Sequence, residues 1–267
     1  MSLLKRSPFV ALAGAALLAT TLLPWAQVSW AQDQGRSFHW AGKLATDQVI
    51  EIRNLNGIID AEPATRDEVE VSAEKSGPRA DEVKIEVAKN SDGVTICPIY
   101  PGISGSCGSY EWHSSNFHND NTKVDFRIRV PRSVRFNAQN VNGSVNAEHM
   151  SKPVRASSVN GSVRVSTDAW AELSSVNGSI DCSMGSADWN GSLKIETVNG
   201  SIHLSLPSDT NADVKFRSVN GRLSSDFPLT VSGTLGGCSM TGKIGNGGRQ
   251  LTLETVNGNV DLRRGGI

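Results

Sequence analysis

Four residues in one short stretch offer the most specific chemistry in the chain: Cys97, Cys107, His113 and His118. Two thiolates and two imidazoles can hold zinc tetrahedrally, but such sites usually contain a closely spaced cysteine pair. Here nine, five and four residues separate the four positions. The short turn-rich loop between Cys97 and Cys107 in an oxidising compartment predicts a disulfide, with the zinc site as the less favoured alternative. That bridge would add roughly 2 to 3 kcal/mol by restricting the unfolded chain. Cys182 lies in phase with Ile180 and Met184, which predicts a small inward-facing hydrophobe.

Catalytic signatures are wanting. The chain contains no G-x-S-x-G, H-E-x-x-H or phosphate-loop pattern. Recognition is better provided for. The loop 97–121 concentrates Tyr100, Tyr110, Trp112, His113, Phe117 and His118 in a chain with 6% aromatic residues. Exposed aromatics beside polar groups suit contact with a glycan or a protein, which makes these six the candidate binding residues. The competing expectation is that Trp112 and Phe117 pack over one end or flank of the fold.

A short repeat must position these groups. An apolar residue followed by Asn-Gly recurs at Asn56-Gly57, Asn142-Gly143, Asn160-Gly161, Asn177-Gly178, Asn199-Gly200, Asn220-Gly221 and Asn257-Gly258. From Asn142 the intervals are 18, 17, 22, 21 and 37, the last read as two periods with one degenerate unit. Self-similarity near twenty residues marks a stacked architecture. Asn-Gly commonly closes a two-residue hairpin. In a hairpin Val159 would face Ser162 and Ser158 would face Val163, dividing the apolar residues between both faces.

A corner avoids that conflict if both flanking apolar residues point inward and successive coils stack in parallel about 4.8 Å apart. The sequence thus predicts an all-β parallel β-solenoid with Asn-Gly corners; the alternative is an antiparallel β-sandwich. In the solenoid, glycine supplies positive φ and each asparagine amide can bond the asparagine one coil away. Cys238 falls about three coils beyond Cys182, too far to pair in a stack, though a sandwich could join them. Val256 is expected near the end of the array, beside the polar terminus at Arg263 and Arg264.

Parallel β-helices include polysaccharide lyases and hydrolases, so an enzyme is the alternative function. The third residue after each repeat glycine should face outward and reads Asp60, Asn146, Arg164, Asp181, His203, Ser224 and Asp261. Neighbouring coils do not place two carboxylates together there, which favours a noncatalytic solvated face without a cofactor.

Between Gly57 and Asn142 the alternating runs at Val69–Ala73, Lys84–Lys89, Val94–Cys97 and Val124–Val130 read as longer strands, with a turn at Asn90–Gly93. Ahead of the strands, Lys5 and Arg6 precede an apolar run from Phe9 to Leu23, and Ser29-Trp30-Ala31 is small at both ends. This is the pattern of a secretory signal cut after Ala31. Cleavage would remove two basic residues and take the net charge from −1 to −3. The expected organisation is a signal peptide at 1–31, an N-terminal β-region at 32–135 and the repeat solenoid at 136–267, continuous with it. Near-balanced charge argues against nucleic acid as a partner, and no further hydrophobic span follows the signal.

Phe38, Trp40 and Gly42 ahead of Ile50-Glu51-Ile52-Arg53-Asn54-Leu55-Asn56-Gly57, the strand Phe126, Ile128, Val130 closed by Pro131, and the serial Val-Asn-Gly units together resemble a bacterial family of putative adhesins of unknown function. The resemblance implies a secreted β-helix-like fold and brings no catalytic residues. The sequence reading is therefore an exported, adhesin-like binding or structural module of the cell envelope, periplasmic or extracellular, whose partner would be an envelope glycan or protein.

Overall fold

A computed structural model describes residues 30–104, 106–107, 113–114, 121–232 and 239–265. Each repeat copy forms two strands joined at its Asn-Gly corner, as in Ala171–Asn177 and Ile180–Met184. Ala171, Leu173 and Ser175 are buried before that corner, and Ile180, Cys182 and Met184 after it. The period-two alternation of extended chain persists to the corner, where residues 176–179 reset its phase.

Coils are named below by their asparagine. Strands entering the corners stack into one 11-stranded sheet, and strands leaving them stack into a second. Both sheets are parallel through the repeats, with equivalent residues in register: Ile52, Ala138, Ala156, Leu173, Ile195, Leu253 and Phe216 form one inward column. Ile59, Val145, Val163, Ile180, Ile202 and Val260 form the facing column of the second sheet. Every member of the facing column is fully buried. Burial of such side chains is worth about 1.5 to 3 kcal/mol each, so the core is a continuous seam along the stack axis. The molecule is a parallel β-solenoid.

The Asn56 and Asn142 coils are neighbours, Val49–Asn56 pairing in parallel with Arg135–Asn142. The chain between them caps the stack. Lys123–Val130 adds in parallel to Ile59–Pro63, and Val69–Ser76 then pairs antiparallel with it. Ser37–Gly42 and Trp30–Gln34 extend that sheet outward. In the first sheet Gly93–Ile99 lies parallel to Val49–Asn56 and is covered by Lys84–Asn90. Asn90 accepts bonds from the amides of Asp92 and Gly93 at 2.9 Å, which closes the turn between those strands. Lys75, 4% exposed, is held by Asp33 Oδ1 at 2.5 Å and the Val83 carbonyl at 3.0 Å.

Coil order departs from chain order at the other end. Arg249–Asn257 lies between Ser192–Asn199 and Ala212–Asn220, and Val260–Arg264 lies between Ile202–Leu206 and Leu223–Ser225. Val256 is therefore interior to the array, and Asn220 belongs to the outermost coil. The 37-residue interval is not two periods: it contains Thr230–Ser232 and Ser239–Ile244, which pair antiparallel on the free side of Ala212–Asn220. A last coil inserted between two others pairs on both sides, and the hairpin covers what would be a long exposed edge.

Candidate functional site

The loop that carries the aromatic residues is rooted on the outer face of the first sheet. Cys97 and Cys107 are joined by a disulfide with Cα atoms 5.7 Å apart, and both are buried. The bond removes both thiolates as potential zinc ligands. Arg53 Nη1 donates to the Cys107 carbonyl at 3.3 Å and Nη2 to Glu51 at 2.9 Å. The Thr95 hydroxyl donates to the same Glu51 oxygen at 3.0 Å, while the Cys107 amide donates to Glu86 at 3.2 Å. This charged cluster is only 8% and 12% exposed at the Arg53 and Glu51 side chains, because the loop root lies across it.

Tyr100 is not available to a ligand. It is 2% exposed, packs in the core, and its hydroxyl donates to the Asn56 carbonyl at 3.1 Å. Burial pushes its phenol well above the ordinary range. Its role is to pin the loop to the first corner of the stack. His113 begins the short strand His113–Ser114, whose backbone pairs with Ile103–Ser104. Tyr110, Trp112, Phe117 and His118 lie outside the described residues, as does Cys238. Cys182 is buried and its thiol pKa is pushed up by desolvation.

The corners differ from the sequence expectation in one respect that matters for binding. The apolar residue before each Asn-Gly points outward, not inward: Val159, Val176, Val198, Val219 and Val256 are 37 to 56% exposed, and Leu55 and Val141 are half-buried. With Ile58, those five are all the exposed large hydrophobics among the described residues. The inward position belongs to the residue one earlier. Ser158, Ser175, Thr197, Thr255 and Ser218 each donate to the glycine carbonyl of the adjacent coil at 2.8 to 3.1 Å. Asn140 does the same through Nδ2 at 2.8 Å. A small polar residue in this place at every copy was the available signal, and alternation from Leu173 through Ser175 already puts Val176 outside.

The corner asparagines form a line of side-chain bonds. Asn142 donates to Asn56, Asn160 to Asn142, Asn177 to Asn160, Asn199 to Asn177, Asn257 to Asn199 and Asn220 to Asn257, all at 2.7 to 2.8 Å. Glycine is needed there mainly for close approach. A Cβ on Gly57, Gly143, Gly161, Gly178, Gly200, Gly221 or Gly258 would fall inside the contact radius of a neighbouring carbonyl oxygen, and only Gly57, Gly143 and Gly258 have positive φ.

Several outward polar and charged residues are paired between strands. Along the second sheet Asn146 donates to Asp60 at 2.6 Å, Arg164 lies 4.0 Å from Asp181, and His203 Nδ1 lies 2.9 Å from Asp261. Along the first, Arg155 meets Glu172 at 2.9 Å and Lys194 meets both Glu196 and Glu254. A groove near the N-terminal cap, lined by His39, Asp60, Arg127, Glu148 and Arg164 among others, includes Arg129 bridging Glu62 and Glu70. Among the described residues, three or more His, Cys, Asp or Glu side chains nowhere come together as a metal site.

Fold and surface define a two-sheet parallel β-solenoid with hydrogen-bonded Asn-Gly corners. The chain belongs to the Toastrack DUF4097 family, whose model matches residues 48–263. Among solved structures, it is similar to a putative cell adhesion protein from Clostridium sporogenes, with 10% identity, a TM-score of 0.46, and 85% of this chain and 99% of that one covered. It is also similar to a putative adhesin from Bacteroides fragilis, with 12% identity, a TM-score of 0.35, and coverage of 86% and 98%. Curated proteins yield no match.

Proposed function

We propose that this protein is an exported, noncatalytic, adhesin-like module of the cell envelope, placed in the periplasm or outside the cell, that binds an envelope glycan or protein through its disulfide-rooted loop. The observation that carries the reading is the use made of the outward charges. Asp60, Asp181, Asp261, Glu172 and Glu254 each have an amide or basic neighbour on an adjacent strand. Charges matched in this way hold strands in register; in the groove at the N-terminal cap, where Glu62 and Glu70 do converge, both carboxylates are ion-paired to Arg129, whereas glycoside chemistry needs two carboxyl groups facing one bond.

The loop root supports the binding half of the proposal. Disulfide, buried ion pair and Tyr100 together anchor residues 97–107, the N-terminal side of a loop whose remaining aromatics, Tyr110, Trp112 and Phe117, are the candidate contacts, with His113 and His118 as further candidates. A rigid scaffold bearing a functional loop is a common division of labour. The disulfide and the signal-like segment 1–31 both suit an oxidising compartment. Among the described residues no helix is long and apolar enough to cross a membrane.

The test is capture of envelope glycan and envelope-protein fractions by immobilised mature protein, comparing wild type with a Tyr110→Ala, Trp112→Ala variant. Lost capture with an unchanged melting temperature supports the loop as the binding element. A fall in melting temperature equivalent to about 3 kcal/mol or more would instead assign Trp112 to packing.

A further inference from the structure

We propose that the corner edge of the stack is a second binding surface, and that its ligand is an uncharged, extended polysaccharide lying along the stack axis. This rests on the reading of the protein as a binding module, but it assigns the contacts to the corner valines and asparagines and not to the aromatics of the loop.

Three features lead to the ligand class. First, the corner valines are aligned: half-buried Val141 and exposed Val159, Val176, Val198, Val256 and Val219 precede asparagines that bond one another in that order, so the valines form a single line, one per coil. Scattered surface valines need no explanation, but a line of them does. Second, the strip is free of charge in its middle. In the Asn142, Asn160, Asn177 and Asn199 coils the sequence from the inward polar residue through the residue after glycine reads Asn-Val-Asn-Gly-Ser, Ser-Val-Asn-Gly-Ser, Ser-Val-Asn-Gly-Ser and Thr-Val-Asn-Gly-Ser. Charged residues stand only on the flanking sheet faces, where Arg155, Glu172 and Lys194 are paired. An anionic polymer or anionic lipid surface finds no counter-charge here, whereas a neutral polymer loses no ionic hydration by docking.

Third, the strip offers both kinds of contact a sugar ring makes, at a fixed repeat. Each valine presents methyl groups. Beside it stands an asparagine amide, which has two N–H donors and spends one on its neighbour in the line. These pairs recur at the strand spacing of about 4.8 Å. That is comparable to the advance per sugar of an extended β-1,4-linked chain, whose rings carry C–H groups on their faces and hydroxyls around their edges. The corner line is held by backbone and side-chain bonds in every coil, so the lattice is preorganised and docking orders little on the protein side.

The experiment titrates full-length mature protein with cello- and chito-oligosaccharides from disaccharide to octasaccharide, with oligogalacturonate as the anionic control. Affinity should rise with each added sugar and level off once the chain spans the line of coils. A Val159→Ser, Val176→Ser, Val198→Ser variant should bind the longest neutral oligosaccharide about tenfold or more weakly, with its melting temperature little changed, because it removes methyl contacts from three successive coils. The Tyr110→Ala, Trp112→Ala variant should bind it like wild type. Binding that depends on the loop and ignores the valines would overturn the corner site while leaving the binding-module reading intact. Equal or tighter binding of oligogalacturonate, affinity independent of length, or no binding of either neutral series would each overturn it as well; capture of envelope fractions then judges the broader reading separately.

Discussion

At the scale of single residues the corner assigns opposite fates to neighbouring positions. Thr197 is buried and donates to the Gly178 carbonyl at 2.8 Å, while Val198 beside it is 39% exposed. Thr197→Val should cost about 1 kcal/mol in urea unfolding, because it leaves the part-buried Gly178 carbonyl without this partner. Val176→Asp should change stability by only about 0.5 kcal/mol, since the carboxylate reaches solvent at the corner. A large loss from Val176→Asp would return that side chain to the core. Lys75 makes the contrasting case of a buried charge with a single acidic partner. Asp33→Asn should cost about 2 kcal/mol, less than a fully buried pair because Asp33 is 31% exposed, and Lys75→Met in the same background should recover part of it. Cys182 should resist iodoacetamide in the native protein at pH 8 and react only on unfolding, since burial raises its thiol pKa and withholds the thiolate. Peptide mapping after alkylation reads this directly.

At the scale of elements the decisive feature is the insertion of the last coil. Leu253 pairs in register with Ile195 on one side and Phe216 on the other. Leu253→Asp should therefore abolish hydrogen-exchange protection in both the Asn199 and Asn220 coils, two segments that flank it in space though not in sequence. Protection lost only from residue 249 onward would contradict the insertion. Gly178→Ala should be costly for a steric reason, about 3 kcal/mol, because its Cβ would meet the Gly161 carbonyl. Much of this was legible in the sequence. The Asn-Gly period of about twenty residues leads to stacked coils, and the alternating runs between Gly57 and Asn142 mark the strands of the N-terminal cap. Side-chain facing does not by itself exclude a hairpin, since that exclusion requires an inward Val159, whereas Ser158 and Val163 face inward and Val159 outward. Hydrophobicity alone gives the wrong phase for the valine, because the period-two alternation that carries Ser175 inward and Val176 outward outweighs it. The order of the last two coils could not be read at all. Each repeat is equally able to stack on any other, and the choice is made by long-range pairing and by the hairpin at Thr230–Ser232 and Ser239–Ile244.

At the scale of the molecule the two sheets, the corner line and the capped ends make a rod whose surface repeats from coil to coil. Tyr100 illustrates why the site was harder to read than the fold: an aromatic in a candidate loop has the same composition whether it meets a ligand or pins the loop. Only its bond to the Asn56 carbonyl and its burial settle its role. The proposed function is that such a rod holds its partner without altering it. The most direct measurement is to incubate mature protein with purified envelope polysaccharide, recover the bound fraction, and analyse it by reducing-end assay and mass spectrometry. Retention of polysaccharide with its chain length, reducing ends and saturation unchanged is the predicted result; new reducing ends or unsaturated sugars appearing in proportion to protein and time would contradict it.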